Sequence, residues 1–141
     1  MRLKNKVAII TGSASGFGKG IAKKFSEEGA KLILVDINSN LLKKVSKSLS
    51  QDHFVADVSK ESNFKSLLKY TLKKYKTVDI IVNNAGITHK PKNMEDVTGR
   101  EFDKVFNVNA KSVYLSAKYF VPRMKKLRRG VILNVASTAG L

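Results

Sequence analysis

The sequence predicts an open, doubly wound α/β sheet, with parallel strands and helices on both faces. Short β-rich runs alternate with longer helical stretches along the 141 residues. The β runs are continuously apolar rather than alternating, as expected of parallel strands covered on both sides. Composition agrees. With 43% hydrophobic and 27% charged residues, the chain has the make-up of a globular protein with one sizeable core, which excludes disorder and collagen-like repeats.

The elements follow in order. Val7-Ala8-Ile9-Ile10 reads as the first strand and runs directly into a glycine-rich turn. The helix after that turn carries Ile21 and Phe25 on one side. Leu32-Ile33-Leu34-Val35 is the second strand, followed by a helix with Leu41, Leu42, Val45 and Leu49 at helical spacing. His53-Phe54-Val55-Ala56 is a weaker strand, and Phe64, Leu67, Leu68 and Leu72 mark the helix beyond it. After Ile80-Ile81-Val82, Pro91 and Gly99 punctuate a looser segment. A long helix with Val113, Ala117, Phe120, Val121 and Met124 then leads to Val131-Ile132-Leu133. Right-handed crossovers join such units into one sheet. No linker, repeat or low-complexity tract interrupts the chain, so residues 1–141 read as one domain.

Several function classes drop out. Without cysteine, disulfide scaffolds, thiolate zinc sites and cysteine nucleophiles are excluded, and two histidines, His53 and His89, do not suggest a metal site. No apolar run approaches the roughly 18–20 residues of a membrane span. Met1 to Lys6 lacks the apolar stretch of a secretory signal, so a cytoplasmic setting is expected. The net charge of +16, from 27 Lys and Arg against 11 Asp and Glu, is spread over polar helix faces. Its densest cluster, Arg123, Lys125, Lys126, Arg128 and Arg129, falls where a helix ends and cations offset the dipole. Aromatic platforms and nucleic-acid fold signatures are lacking, so the charge reads as solvated surface rather than a nucleic-acid or membrane contact.

The turn Thr11-Gly12-Ser13-Ala14-Ser15-Gly16-Phe17-Gly18 carries the chemistry. Gly12 can take the tight turn off the strand, Gly16 lets backbone approach a phosphate, and Gly18 allows close helix packing. The helix N-terminus then offers amides and a positive dipole end to a pyrophosphate. Asp36 closes the second strand 18 positions after Gly18. A carboxylate there can accept from ribose hydroxyls and repel a 2′-phosphate, which favours NAD over NADP. The alternative readings are an ordinary strand-to-helix turn and, for Asp36, the N-cap of the next helix.

The glycine turn, Asp57-Val58, Asn83-Asn84-Ala85-Gly86, Asn107-Val108-Asn109-Ala110 and Asn134-Val135-Ala136-Ser137-Thr138-Ala139-Gly140 occur in this order. Together they resemble the short-chain dehydrogenase/reductase family over essentially the whole chain, most of all its 3-oxoacyl reductase and glucose dehydrogenase branches. The resemblance implies a Rossmann fold and NAD bound by Gly12, Ser15, Gly16, Phe17, Gly18, Asp36, Asp57, Val58, Asn84, Ala85 and Gly86. Asp57 would bond the adenine amino group, with Val58 touching the ring through its backbone. Asn109 would bend its helix and hold a water of the proton relay on its main chain. Ser137 would bond the oxygen of a small alcohol or carbonyl substrate. Taken without the family, Asn109 is also readable as a mid-helix polar residue and Ser137 as a strand-end cap.

Hydride transfer to or from a carbonyl carbon must be matched by a proton on its oxygen. In the family a Tyr-x-x-x-Lys pair on the helix after the serine strand moves that proton. Tyr70/Lys74 and Tyr114/Lys118 match the spacing but precede Ser137, and both are expected to be decoys in a lysine-rich chain. The sheet therefore reads as truncated after its fifth strand. The 141 residues alone are expected to be poorly stable and inactive, and the full-length protein a homo-oligomer. A non-catalytic dinucleotide-binding module is the competing reading, and a basic nucleic-acid-binding protein a third.

Overall fold

The computed structural model describes residues 1–137. Five strands, β1 (Val7–Thr11), β2 (Lys31–Asp36), β3 (Asp52–Val55), β4 (Ile80–Asn83) and β5 (Val131–Asn134), form one sheet in the order β3-β2-β1-β4-β5. Every pairing is parallel, with Ala8 opposite both Leu32 and Ile80, and Ile80 opposite Val131. Helices α1 (Gly16–Glu27) and α2 (Ser39–Leu49) cover one face, and α3 (Glu61–Tyr75) and α5 (Ser112–Leu127) the other. This is the doubly wound arrangement the apolar runs predict.

The two cores show why those runs are unbroken. Successive strand residues point to opposite faces. Ala8, Ile10, Leu32, Leu34 and Val82 pack with Ala22, Leu42 and Val45 on the side of α1 and α2. Ile9, Ile33, Val35 and Ile81 pack with Phe64, Leu67, Leu115 and Phe120 on the side of α3 and α5. Both faces are covered, so neither alternate position can be polar. At the sheet's edge the covering is thinner: Val131, Leu133 and Val135 are exposed.

Two boundaries differ from expectation. Strand β3 starts one residue early, at Asp52, whose carboxylate is held by Lys74 and Tyr75 at the end of α3. Gly99 does not sit in a loose segment. It opens a further helix, α4 (Gly99–Phe106), behind a capping box in which Glu101 N donates to Thr98 Oγ1 and Thr98 N to Glu101 Oε2. A π-helical turn, Asn107–Lys111, joins α4 to α5.

At the edge where strands begin, Asp79 ties three of them together. Its Oδ2 accepts from Val7 N at 3.0 Å, its amide donates to Val7 O, and its carbonyl accepts from Val131 N. Arg129 Nε lies 3.0 Å from Oδ1, close enough to pair but out of hydrogen-bond alignment. Asp79→Ala would strand the buried Val7 amide and is expected to cost about 1–3 kcal/mol in urea unfolding. An unchanged midpoint would show the tie to be dispensable.

Candidate functional site

Strand β1 lies between β2 and β4 and is followed by α1 on one face, while β4 leads to the other. A crevice therefore opens beyond the carboxyl ends of β1 and β4, where ligands bind in such sheets. Thr11, at the end of β1, is buried beside it. Its hydroxyl donates to Val82 O at 3.3 Å and accepts from the amides of Asn84 and Ala85, both at 3.0 Å. The Asn84 side-chain amide returns the contact, donating to Thr11 O at 3.0 Å and Gly12 O at 3.2 Å.

This clamp sets what the glycine turn can be. Gly12 has φ +64°, and a Cβ on it would come within 2.8 Å of Ala85 Cα. Gly16, at φ +51°, faces open space. A Cβ on Gly18 would lie 2.0 Å from Gly12 O and 2.5 Å from Asn84 Nδ2, so only glycine lets α1 start there. The first turn of α1 holds no acidic residue, and its N-cap, Ser15, makes no side-chain capping bond. Its amides and positive dipole end thus remain available to an anion in the crevice.

The crevice is a groove of about 760 Å³. Gly12, Ser15, Gly16, Phe17, Asp36, Asp57, Val58, Asn84, Ala85 and Gly86 all line it. Gly18 stands behind the wall as packing, and Asn109 and Ser137 are outside the lining. Asp36 accepts from Ala14 N (3.0 Å) and Asn38 N (2.9 Å), fixing the carboxylate at the mouth. It does not cap α2: that is Asn38, whose side chain accepts from Leu41 N. Asp57 Oδ1 accepts from the Ser59 amide and hydroxyl at 2.9 and 2.6 Å. Burial raises its pKa, but those two bonds and the Lys60 charge outweigh it, leaving the carboxyl below its ordinary value.

Asn109 sits in the π-helical turn and grips the segment after β4 at two points. Its Oδ1 accepts from Ile87 N at 2.9 Å and its Nδ2 donates to Ile87 O at 2.8 Å. Asn83, one residue before the clamp, donates to Ser116 Oγ and Asn134 Oδ1, both at 2.8 Å. Ser137 is exposed three residues beyond β5. Thr138 to Leu141 lie outside the described residues. Both Tyr-x-x-x-Lys matches have structural duties: Tyr70 packs on Phe54, Lys74 pairs with Asp52, and Lys118 pairs with Glu61 at 2.6 Å.

The sequence reading missed other groove residues, notably Ile37, Ile87, Lys104 and Asn107. A signal for the last two was present. Thr98-x-x-Glu101 is a helix start, and the helix it begins carries Lys104 and leads directly into Asn107. Among the described residues, no group of three or more His, Cys, Asp or Glu could hold a metal ion, and no helix is long and apolar enough to cross a membrane.

Comparison with known proteins places this architecture. The pattern of the family described as short chain dehydrogenase matches residues 6–141. Zerumbone synthase of Zingiber zerumbet is 40% identical across 100% of this chain and 55% of its own length. The 3-ketoacyl-(acyl-carrier-protein) reductase of Brucella melitensis, complexed with NADH, superposes with a TM-score of 0.89 at 42% identity, covering 96% of this chain and 58% of that one. A metagenomic short-chain oxidoreductase in complex with NADP gives a TM-score of 0.94 at 28% identity, covering 99% and 66%. The chain spans a little over half the length of the curated relatives it matches.

Two outcomes are expected from the local geometry. Gly18→Ala must push the turn apart and should cost about 3 kcal/mol or more in urea unfolding. Gly20→Ala, on the same helix with nothing within 4 Å of its Cβ, should be neutral or stabilise by up to about 1 kcal/mol. Equal effects would remove the case for Gly18 as a packing glycine. Glu101 is held down to about 2, first by Lys92 and then by the Thr98 amide and hydroxyl, from an ordinary 4.5. Its stabilising contribution is therefore complete above pH 4.5 and lost as the pH falls towards 2. The stability gap between wild type and Glu101→Gln should close over that window in acid titrations followed by circular dichroism.

Proposed function

The chain belongs to the short-chain dehydrogenase family, and on that premise we propose that it binds NAD. It would form the dinucleotide-binding part of an oxidoreductase acting on a secondary alcohol or carbonyl compound. The observation that carries the reading is the uncapped N-terminus of α1 beside the fixed carboxylate of Asp36. The residues present fit such a cofactor. A pyrophosphate finds the first-turn amides, with Gly16 leaving room for it. Asp57 and Val58 line the groove where an adenine would lie, and Asp36 stands where ribose hydroxyls need an acceptor.

Preference for NAD over NADP rests on charge. The Asp36 carboxylate would repel a 2′-phosphate, and Ser13 offers no counter-charge: it is buried, with its hydroxyl donated to Val35 O. Bound in the groove, the nicotinamide supplies or accepts a hydride. Ser137 would donate to the substrate oxygen and orient it. Asn109 would serve through its main chain, since its side chain is committed to Ile87. Neither Tyr70 nor Tyr114 would carry the proton, since their lysines are taken by Asp52 and Glu61. A cytoplasmic homo-oligomer working on a small molecule, without nucleic-acid or membrane partners, completes the reading.

Titration of nicotinamide fluorescence tests it. NADH should bind tighter than NADPH by about tenfold or more, given the like charges at Asp36. Asp36→Asn, which keeps an acceptor, should narrow the gap. Equal or tighter NADPH binding by the wild type would overturn the NAD assignment. Reduction of a ketone panel followed by NADH absorbance tests the oxidoreductase reading for the protein to which these residues belong.

A further inference from the structure

Lys104 is the single cation among the described residues that line the groove. It sits one helical turn before Val108, so the two share a side of the helix. Val108, in the π-helical turn after α4, packs against the cluster that contains Ala56 and Val58, and all three line the groove. Asp57, Val58 and Ser59, just beyond β3, line the groove together with Lys104.

The charge of Lys104 is uncommitted. Glu101, three residues before it on α4, is paired with Lys92 at 2.8 Å and bonded to Thr98. The two groove carboxylates are satisfied locally, Asp36 by Ala14 and Asn38 and Asp57 by Ser59. The proposed pyrophosphate site is the N-terminus of α1. Lys104 lines the same groove as Ala56, Asp57, Val58 and Val108.

We propose that Lys104 binds the adenine of the dinucleotide, laying its ammonium on the purine π-surface. The inference rests on the dinucleotide reading above and deepens it, since it assigns a residue of α4 to the adenosine half. A cation over an aromatic ring at a partly exposed site changes affinity by about two- to fivefold.

The test compares Lys104→Met, which keeps the stem, with Lys104→Arg, which keeps the charge. NADH, adenosine, AMP and the reduced mononucleotide NMNH are titrated calorimetrically into each folded protein. The expected result is a two- to fivefold loss for NADH, AMP and adenosine in Lys104→Met, no change for NMNH, and recovery in Lys104→Arg. Unchanged adenosine binding would overturn the assignment, whether NADH and AMP also hold or weaken through their phosphates alone. A wild type that binds NADH with Lys104 irrelevant sinks only this inference. A wild type that binds none of the four sinks the dinucleotide reading with it.

Discussion

The site depends on one buried hydroxyl. Thr11 Oγ1 meets three backbone groups of the β4 end, and Asn84 answers with two bonds of its own. Each such bond contributes only about 1 kcal/mol net. Their weight lies in position. They hold the chain after β4 against the first turn of the glycine loop, and that contact leaves no volume for a side chain at Gly12 or Gly18. The start of α1, and with it the direction of its free amides, follows from how closely β1 and β4 are drawn together at this edge.

A division of labour runs through the groove. The polar side chains that shape it are occupied with backbone: Asp36 with Ala14 and Asn38, Asp57 with Ser59, and Asn109 with Ile87. Such groups are already oriented, so a ligand need not order them on arrival. The groups left over are donors, namely the first-turn amides of α1 and the ammonium of Lys104. The groove thus combines acceptors already fixed by backbone with donors that no protein group uses.

Much of this was legible in the sequence because it rests on local chemistry. Unbroken apolar runs gave parallel covered strands, and the glycine spacing, Asp36, Asp57 and Asn84 marked the carboxyl edge in order. What was hidden depends on contacts between distant segments. Nothing near Asp36 shows that its carboxylate would be tied to Ala14, or that Asn38 would take over the cap. Helix α4 was obscured by Gly99, a weak helix former, although Thr98 and Glu101 outweigh it by capping. The duties of Lys74 and Lys118 were equally invisible, since Asp52 and Glu61 are brought to them only by the packing of α3 against β3 and α5.

The order of strands also governs when the parts can meet. Strand β1 pairs with β2 about two dozen residues downstream, but Ala8 must wait for Ile80 before its other edge is filled. Contacts across so long a loop are slow to form. During synthesis, β1, β2 and β3 with α1 and α2 can assemble as a first unit that already contains the glycine loop and Asp36. The Thr11 hydroxyl stays without its partners until Asn84 leaves the ribosome. A chain that has reached only β3 therefore carries the glycine loop and Asp36 beside a strand edge that β4 has yet to fill.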